Sequence, residues 1–421
     1  MDRFAPGNAD KVGKREAARP LRVGYVAGPS DADRIYEDLK SDRPRVYFGT
    51  NYMRQFLLLM DTLDAVAWIE IWHGDRRYRR RIGRYVFDNV PQREARSLSY
   101  HLQNAAHMLG MLWRFLKFRP DVVVLTGKQE YWWLLAPLRL TGTRFIASFH
   151  SVIWPPFHPL KRHYKALLFL NRRLILSHLA AAVSTSRAIS DQFRALAGPR
   201  IPLFEHLPTW EPEQFEGIAP ADQLPPKPFR TMFMGRIERD KGVYDLLDMA
   251  AQLERERPGE FVFELCGDGT ELPEVRRQVE QRGLNQAVQL HGYCPPDRMK
   301  SVMGLCHAAI VPTRTDCPAG FEMTCAEAIL GGRPLVTSAV APALHYLRPA
   351  SIEVPPEDVA AYKAAIVRLS DDPALYREKR KACAALRDQF FAFENSWDYA
   401  MRAAFGAVLP GRAEALKVRS C

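Results

Sequence analysis

The chain has 421 residues, 47% of them hydrophobic, and 59 Lys and Arg against 48 Asp and Glu give it a net charge of +11. That length exceeds one small core and predicts two domains of ordinary size, while the apolar fraction excludes a disordered chain. The positive balance favours a polyanionic neighbour (phosphorylated substrate, anionic lipid surface or nucleic acid) without choosing among them.

Residues 1–20 are polar and charged with no apolar h-region, so a flexible tail is expected rather than a signal peptide. No run of 18 apolar residues occurs, and no membrane span is expected. The seven cysteines include no C-x-x-C pair and have no companion histidine spacing for zinc; they read as reduced thiols of a cytosolic protein.

The pattern from 21 to 72 reads strand, helix, strand, a first βαβ unit. Gly49-Thr50, where that helix begins, reads either as an anion-facing turn or as a simple cap. Asp31-Ala32-Asp33 spells D-x-D, but it lies among turn residues and reads as local capping rather than a metal site. Arg76, Arg77, Arg79, Arg80 and Arg81 fall in a ten-residue stretch with six arginines, the most basic point of the chain, ahead of a long helix expected from about 93 to 118. Two further strands, 121–127 and 143–150, place His150 at a strand's carboxyl end, where ligands bind in open α/β sheets. The segment 159–179 interleaves Lys161, Arg162 and Lys165 with Leu, Phe and Tyr. It reads as an interfacial helix or as an ordinary packed helix with solvated charges.

Residues 209–228 are rich in Pro and acids, lack either periodicity, and read as a linker. It separates an N-terminal domain at 21–208 from a second α/β series at 229–390. In that series Gly235-Arg236 follows a strand and Lys241-Gly242 opens a helix. The stretch 307–336 reads strand, loop, helix Met323–Leu330, a left-handed stop at Gly331-Gly332, and strand. Thr324–Glu327 spells T-x-x-E, so Glu327 reads either as a capping-box residue or as a ligand.

A nucleoside diphosphate leaving group needs cations and aligned amides as its bond breaks. Arg236 and Lys241 supply the cations, and Gly267 in Gly267-Asp268-Gly269 permits close backbone approach. These fit one pocket, with the ribose diol at Glu327 and the base along Gly292-Tyr293-Cys294.

FMGRIERDKG, ELCGDGTEL, VQLHGYC and CPAGFEMTCAEAILGGRPLV, in this order, resemble the donor domain of the family 4 retaining glycosyltransferases. ASFH at 147–150 and VSTSRAI at 183–189 extend the resemblance into the first half. It implies an α/β GT-B fold: two Rossmann-like βαβ domains facing across a cleft, with a last helix within 391–421 crossing back to the N-terminal domain. It also implies a nucleotide-sugar donor, a UDP- or GDP-sugar, acting as co-substrate, with no cofactor and no metal. Arg236 and Lys241 would hold the diphosphate, Glu327 the ribose hydroxyls, and His150 would stand near the transferred sugar. Gly267, Gly292, Tyr293, Gly320, Phe321 and Glu322 complete the expected donor contacts.

The chain departs from the family in two places. The loop normally reads Glu-Gly-Phe-Gly, and here the first position is Ala319. Glu322 can stand in for the absent carboxylate only if it stays in the loop, because at 3.6 residues per turn it would otherwise project about 140° from Glu327. HLPTW at 206–210 replaces a short Asn-Gly turn. The reading that follows is a retaining hexosyltransferase acting on a glycan or lipid-linked acceptor in cell-surface polysaccharide or glycolipid synthesis. It would work in the cytoplasm, peripherally at an anionic membrane surface through the arginine cluster and the 159–179 helix. Alternatives are a non-catalytic nucleotide-sugar binder and a nucleotide-sugar epimerase; nucleic acid is an unlikely partner because no stacking module accompanies the arginines.

Overall fold

The computed structural model describes residues 19–28, 31, 35–37, 52–92, 97–220, 227–412 and 416. Residues 1–18 of the expected tail, Gly49-Thr50 and the Ala32-Asp33 part of D-x-D lie outside them.

Two sheets organise the chain. The first has eight strands: β1 (Arg22–Gly28), β2 (Val66–Ile71), β3 (Tyr78–Ile82), β4 (Tyr85–Asn89), β5 (Val122–Leu125), β6 (Arg144–Phe149), β7 (Ala181–Ser184) and β8 (Leu203–Glu205). Their order is β3-β4-β2-β1-β5-β6-β7-β8, and every pairing is parallel except β3 with β4. The second has six parallel strands in the order β11-β10-β9-β12-β13-β14: β9 (Phe229–Met234), β10 (Phe261–Cys266), β11 (Val288–Gly292), β12 (Ala308–Val311), β13 (Leu335–Ser338) and β14 (Ser351–Val354). Strands such as β5 (VVVL) and β12 (AAIV) are buried at every position, as covering a parallel sheet on both faces demands.

The arginine cluster does not precede a helix directly. It forms β3, joined to β4 through Gly83 in a left-handed conformation (φ +57°). The pleat deals its side chains to opposite faces, and acids take up several of them. Arg79 donates to its cross-strand partner Asp88 at 2.8 Å, Arg80 pairs with Glu37 at 2.9 Å, and Arg84 pairs with Asp64. Arg76 and Arg77 remain exposed. The long helix begins at Ser97 and runs to Phe118.

The expected linker is anchored where it begins, through Trp210 and Phe215, while most of its other described residues are half-buried or exposed. Leu207, Trp210 and Phe215 belong to the C-terminal core beside Phe390, and Leu207 N and Trp210 N donate to the carbonyls of Asn395 and Phe390 at 2.8 and 2.9 Å. The helix Trp397–Val408 follows at once and buries Trp397, Met401 and Phe405 in the N-terminal core with Phe56 and Val183. The chain therefore crosses between its two halves twice, and the crossings are hydrogen-bonded to each other.

Candidate active site

The carboxyl ends of both sheets supply the site. In the second sheet β9 and β10 run into Gly235 and Gly267 and β11 ends on Gly292, tied edge to edge by Gly235 N to Cys266 O (3.0 Å) and Gly267 N to Gly292 O (2.8 Å). A Cβ on Gly267 would lie 1.7 Å from the Gly235 carbonyl oxygen, so only glycine allows this approach. Arg236 leaves the turn with its side chain 65% exposed, its nearest acid being Asp240 at 3.9 Å. Tyr293 is exposed beyond Gly292.

Lys241 behaves differently. Its Nζ donates to Glu322 Oε1 at 2.8 Å and lies 3.4 Å from Cys317 Sγ, with the lysine and glutamate side chains only 17% and 9% exposed. Burial opposes the ammonium charge, but Glu322 and Cys317 outweigh it and raise the lysine pKa. Burial pushes the Cys317 thiol up to about 11, with Lys241 opposing. The next residue, Gly242, has φ +76°, and a Cβ there would meet the Pro312 carbonyl oxygen at 2.2 Å, which fixes Lys241 against the end of β12.

Glu322 stands just outside the helix Met323–Leu330, as its N-cap, in a left-handed conformation (φ +64°). It thus meets the condition for acting from the loop. Because the cap is Glu322, Thr324 is already helical and the T-x-x-E spelling forms no capping box; that reading of Glu327 is corrected. Glu327 is 7% exposed, and burial pushes its carboxyl up to about 7. The Trp210 indole N–H pulls the other way, reaching toward it without closing an ordinary hydrogen bond. The expected left-handed stop at Gly331-Gly332 is present, with Gly331 as the C-cap and Gly332 (φ +75°) as the left-handed residue. The Phe321 ring, expected among the donor contacts, turns into the core against Tyr346 and Phe390.

The N-terminal half meets this loop at His150. His150 follows β6, and a Cβ on Gly320 would lie 1.9 Å from its carbonyl oxygen, so the two backbones touch where position 320 carries no side chain. His158 Nε2 lies 3.0 Å from Thr315 Oγ1 nearby. The His150 ring packs against Tyr52 at 4.4 Å, and burial, aided by His206, lowers its pKa to about 3, so it is neutral at ordinary pH. Its tautomer follows from donor counting. Trp397 Nε1 can only donate, and it does so to Ser148 Oγ at 2.8 Å. Ser148 is fully buried, and its own proton has one acceptor among the described residues, His150 Nε2 at 3.0 Å. With Ser148 donating to Nε2, the imidazole proton is left on Nδ1, an enclosed atom with no hydrogen-bond partner among the described residues.

Sequence reasoning missed Cys317, Trp210, Tyr52 and the Trp397–Ser148 pair. The tryptophan in the otherwise polar 208–214 stretch is the one local signal among them. Arg162 and Lys165 lie on the helix Arg162–Leu174, which buries only Asn171; Lys161 is its N-cap. Among the described residues no group of three His, Cys, Asp or Glu is placed to hold a metal ion.

Comparison with known proteins adds the family. A glycosyl transferase 4-like domain model matches residues 72–204, and a glycosyl transferases group 1 model matches residues 215–385. The chain is 26% identical over 291 residues to a 2-deoxystreptamine N-acetyl-D-glucosaminyltransferase from Streptomyces fradiae, covering 64% of this chain and 66% of that one. It is 26% identical over 157 residues to a glycogen synthase from Mycobacterium tuberculosis, a match spanning 37% of each chain. Among solved structures, a sucrose-phosphate synthase from Thermosynechococcus elongatus superposes with TM-score 0.67 at 15% identity, over 93% of this chain and 100% of that one. Anabaena HepE in complex with UDP superposes with TM-score 0.62 at 14% identity over the same shares. Two parallel-rich α/β units with these neighbours define the GT-B glycosyltransferase fold. Within it, the chain belongs to the family 4-like glycosyltransferases.

Proposed function

We propose that the protein transfers a hexose from a UDP- or GDP-sugar to a glycan or lipid-linked acceptor, with retention and without a metal. The observation that carries this is the loop at 317–322, which brings Lys241, Glu322 and the His150 backbone together beside the glycine-lined strand ends. Arg236 and Lys241 neutralise the departing diphosphate, Glu327 takes the ribose hydroxyls, and neutral His150 donates from Nδ1 toward the transferred sugar. Glu322 supplies the carboxylate that position 319 lacks. Its pairing with Lys241 means that an incoming diphosphate competes with it for the same ammonium, and the displaced carboxylate is then free to meet the sugar. The UDP bound by HepE supports a uridine donor.

The test is release of nucleoside diphosphate from a panel of nucleotide sugars with and without acceptor. Lys241→Ala should slow transfer by roughly 10² or more. Glu322→Ala should lose comparable turnover while binding the nucleoside diphosphate at least as tightly as the parent, since Lys241 is released. Unchanged rates in both variants would remove the assignment, and donor conversion without acceptor would turn it toward an epimerase.

The helix Arg162–Leu174 supports a location. It leaves Phe169 65% exposed among Arg162, Lys165, Arg172 and Arg173, and presents this mixed face to the anionic inner surface of a membrane. Flotation with anionic vesicles should recover the protein and weaken steeply with salt; equal recovery with neutral vesicles would sink the electrostatic part.

A further inference from the structure

At the far end of the helix Met323–Leu330 from Glu322, the Gly331-Gly332 turn opens onto a cavity of about 450 Å³. Its walls divide by chemistry. Phe215, Ile218 and Leu330 make an apolar side, and Arg333, Arg377, Arg380, Lys381 and Arg387 a cationic one, with no acidic residue among the described lining. A Cβ on Gly332 would meet nothing within 4 Å, so the turn leaves the space open.

Four of the cations come from the helix Pro373–Leu386 and the residue after it. Arg377, Arg380, Lys381 and Arg387 recur at spacings of three, four and seven, which puts them on one face with only Ala384 between. Like charges at these spacings repel, and a merely solvated face usually interleaves acids among them. Neither Arg377 nor Lys381 has an ion-pair or hydrogen-bond partner among the described residues. Arg333 gives an independent sign of unmet positive charge. Its side chain is 1% exposed, and it donates to the carbonyls of Ala219 (2.7 Å), Cys306 (3.0 Å), Gly304 (3.2 Å) and Gly331, without a carboxylate. Carbonyl dipoles solvate a guanidinium but leave its charge in place. Burial holds it below its ordinary pKa, and the Arg380 cation adds to that. Arg387 Nε is enclosed and has no acceptor.

We propose that this cavity binds a phosphorylated small molecule, a phosphate monoester whose phosphate lies among Arg377, Lys381 and Arg387 in the field of Arg333 and whose organic body packs on Phe215 and Leu330. Guanidinium forks match phosphate oxygens in pairs, and the monoester carries close to two charges at neutral pH. The cavity's lining shares no residue with the donor contacts, and Glu322 stands at the opposite end of the eight-residue helix, about 12 Å away at 1.5 Å per residue.

Phenyl phosphate is a suitable probe, carrying one phosphate and one apolar ring. Titrated by calorimetry into the full-length protein, it should bind the parent and Lys241→Ala with the same affinity. Arg377→Ala/Lys381→Ala, which alters only exposed side chains, should weaken it at least about ten-fold with unchanged circular dichroism. No heat with the parent at millimolar probe overturns the proposal. So does binding that is lost in Lys241→Ala and kept in the double variant, which would place the probe in the donor pocket. Binding of heparin by the parent without binding of phenyl phosphate also overturns it, in favour of a macromolecular polyanion.

Discussion

Glu327, the carboxyl proposed for the ribose hydroxyls, is buried at the expense of folding stability at neutral pH. Its folded pKa of about 7 lies above its ordinary value of 4.5, so the folded state holds its proton more tightly than the unfolded chain does. The stability this confers is complete below pH 4.5 and is lost as pH rises through 7. Glu327→Gln cannot ionise and should escape that loss. Its melting temperature should gain on the parent from pH 5 to pH 8, with the free-energy gap widening by up to about 3 kcal/mol, while donor binding weakens. A gap that stays constant with pH would show that the carboxyl ionises in the folded protein at its ordinary pKa. At this scale the sequence points to Arg236, Lys241 and Glu327 as donor-side candidates, because they stand in local motifs whose residue types state their chemistry. Trp210 and Cys317 were not legible, because each acquires meaning only from a partner brought by a distant segment: Glu327 for one, Lys241 for the other.

Among the elements, the continuous apolar strands announced themselves by composition, and the β3–β4 hairpin did not. Three consecutive arginines hide a period of two, and what makes them a strand is the opposing Asp88 and the antiparallel ladder. The returning helix was anticipated from its resemblance, but its hydrogen bond to Ser148 joins residues 249 positions apart, beyond any local pattern. That bond makes Trp397 a positioning residue for His150. Trp397→Phe keeps the ring and removes the N–H, so the Ser148 hydroxyl no longer has a fixed direction. The His150 imidazole nitrogen shifts should then report a mixture of tautomers, and kcat should fall roughly ten-fold, as for one lost hydrogen bond, with the donor KM unchanged. Ser148→Ala should produce the same tautomer change without a void where the indole stood. A parent-like nitrogen spectrum in both variants would dissociate the helix from the histidine.

For the whole molecule, the contact of Gly320 with the His150 carbonyl is a backbone-to-backbone meeting point of the two halves, alongside His158 with Thr315 and the Tyr346 hydroxyl with Arg187 N and Glu205. Gly320→Ala places a methyl 1.9 Å from that oxygen and cannot be relieved by a side-chain rotation. The halves must part instead. Each core is untouched, so thermal stability should change little, while the radius of gyration from solution scattering should rise and turnover should fall by roughly 10². An unchanged radius with unchanged turnover would mean that the cleft works in a more open form than the one seen.

The double crossing of the chain between its halves has a mechanical meaning. One tether would allow a domain to swivel in any direction, and two tethers set apart would forbid most motion. Here 207–210 and 390–395 run side by side, bonded from Leu207 to Asn395 and from Trp210 to Phe390, and so act as the pin of a hinge. Two crossings bonded side by side restrain the halves less against rotation about that line than against other relative motions. Since Trp210 also reaches toward Glu327, the angle of the hinge and the surroundings of the buried carboxyl are set by the same residue.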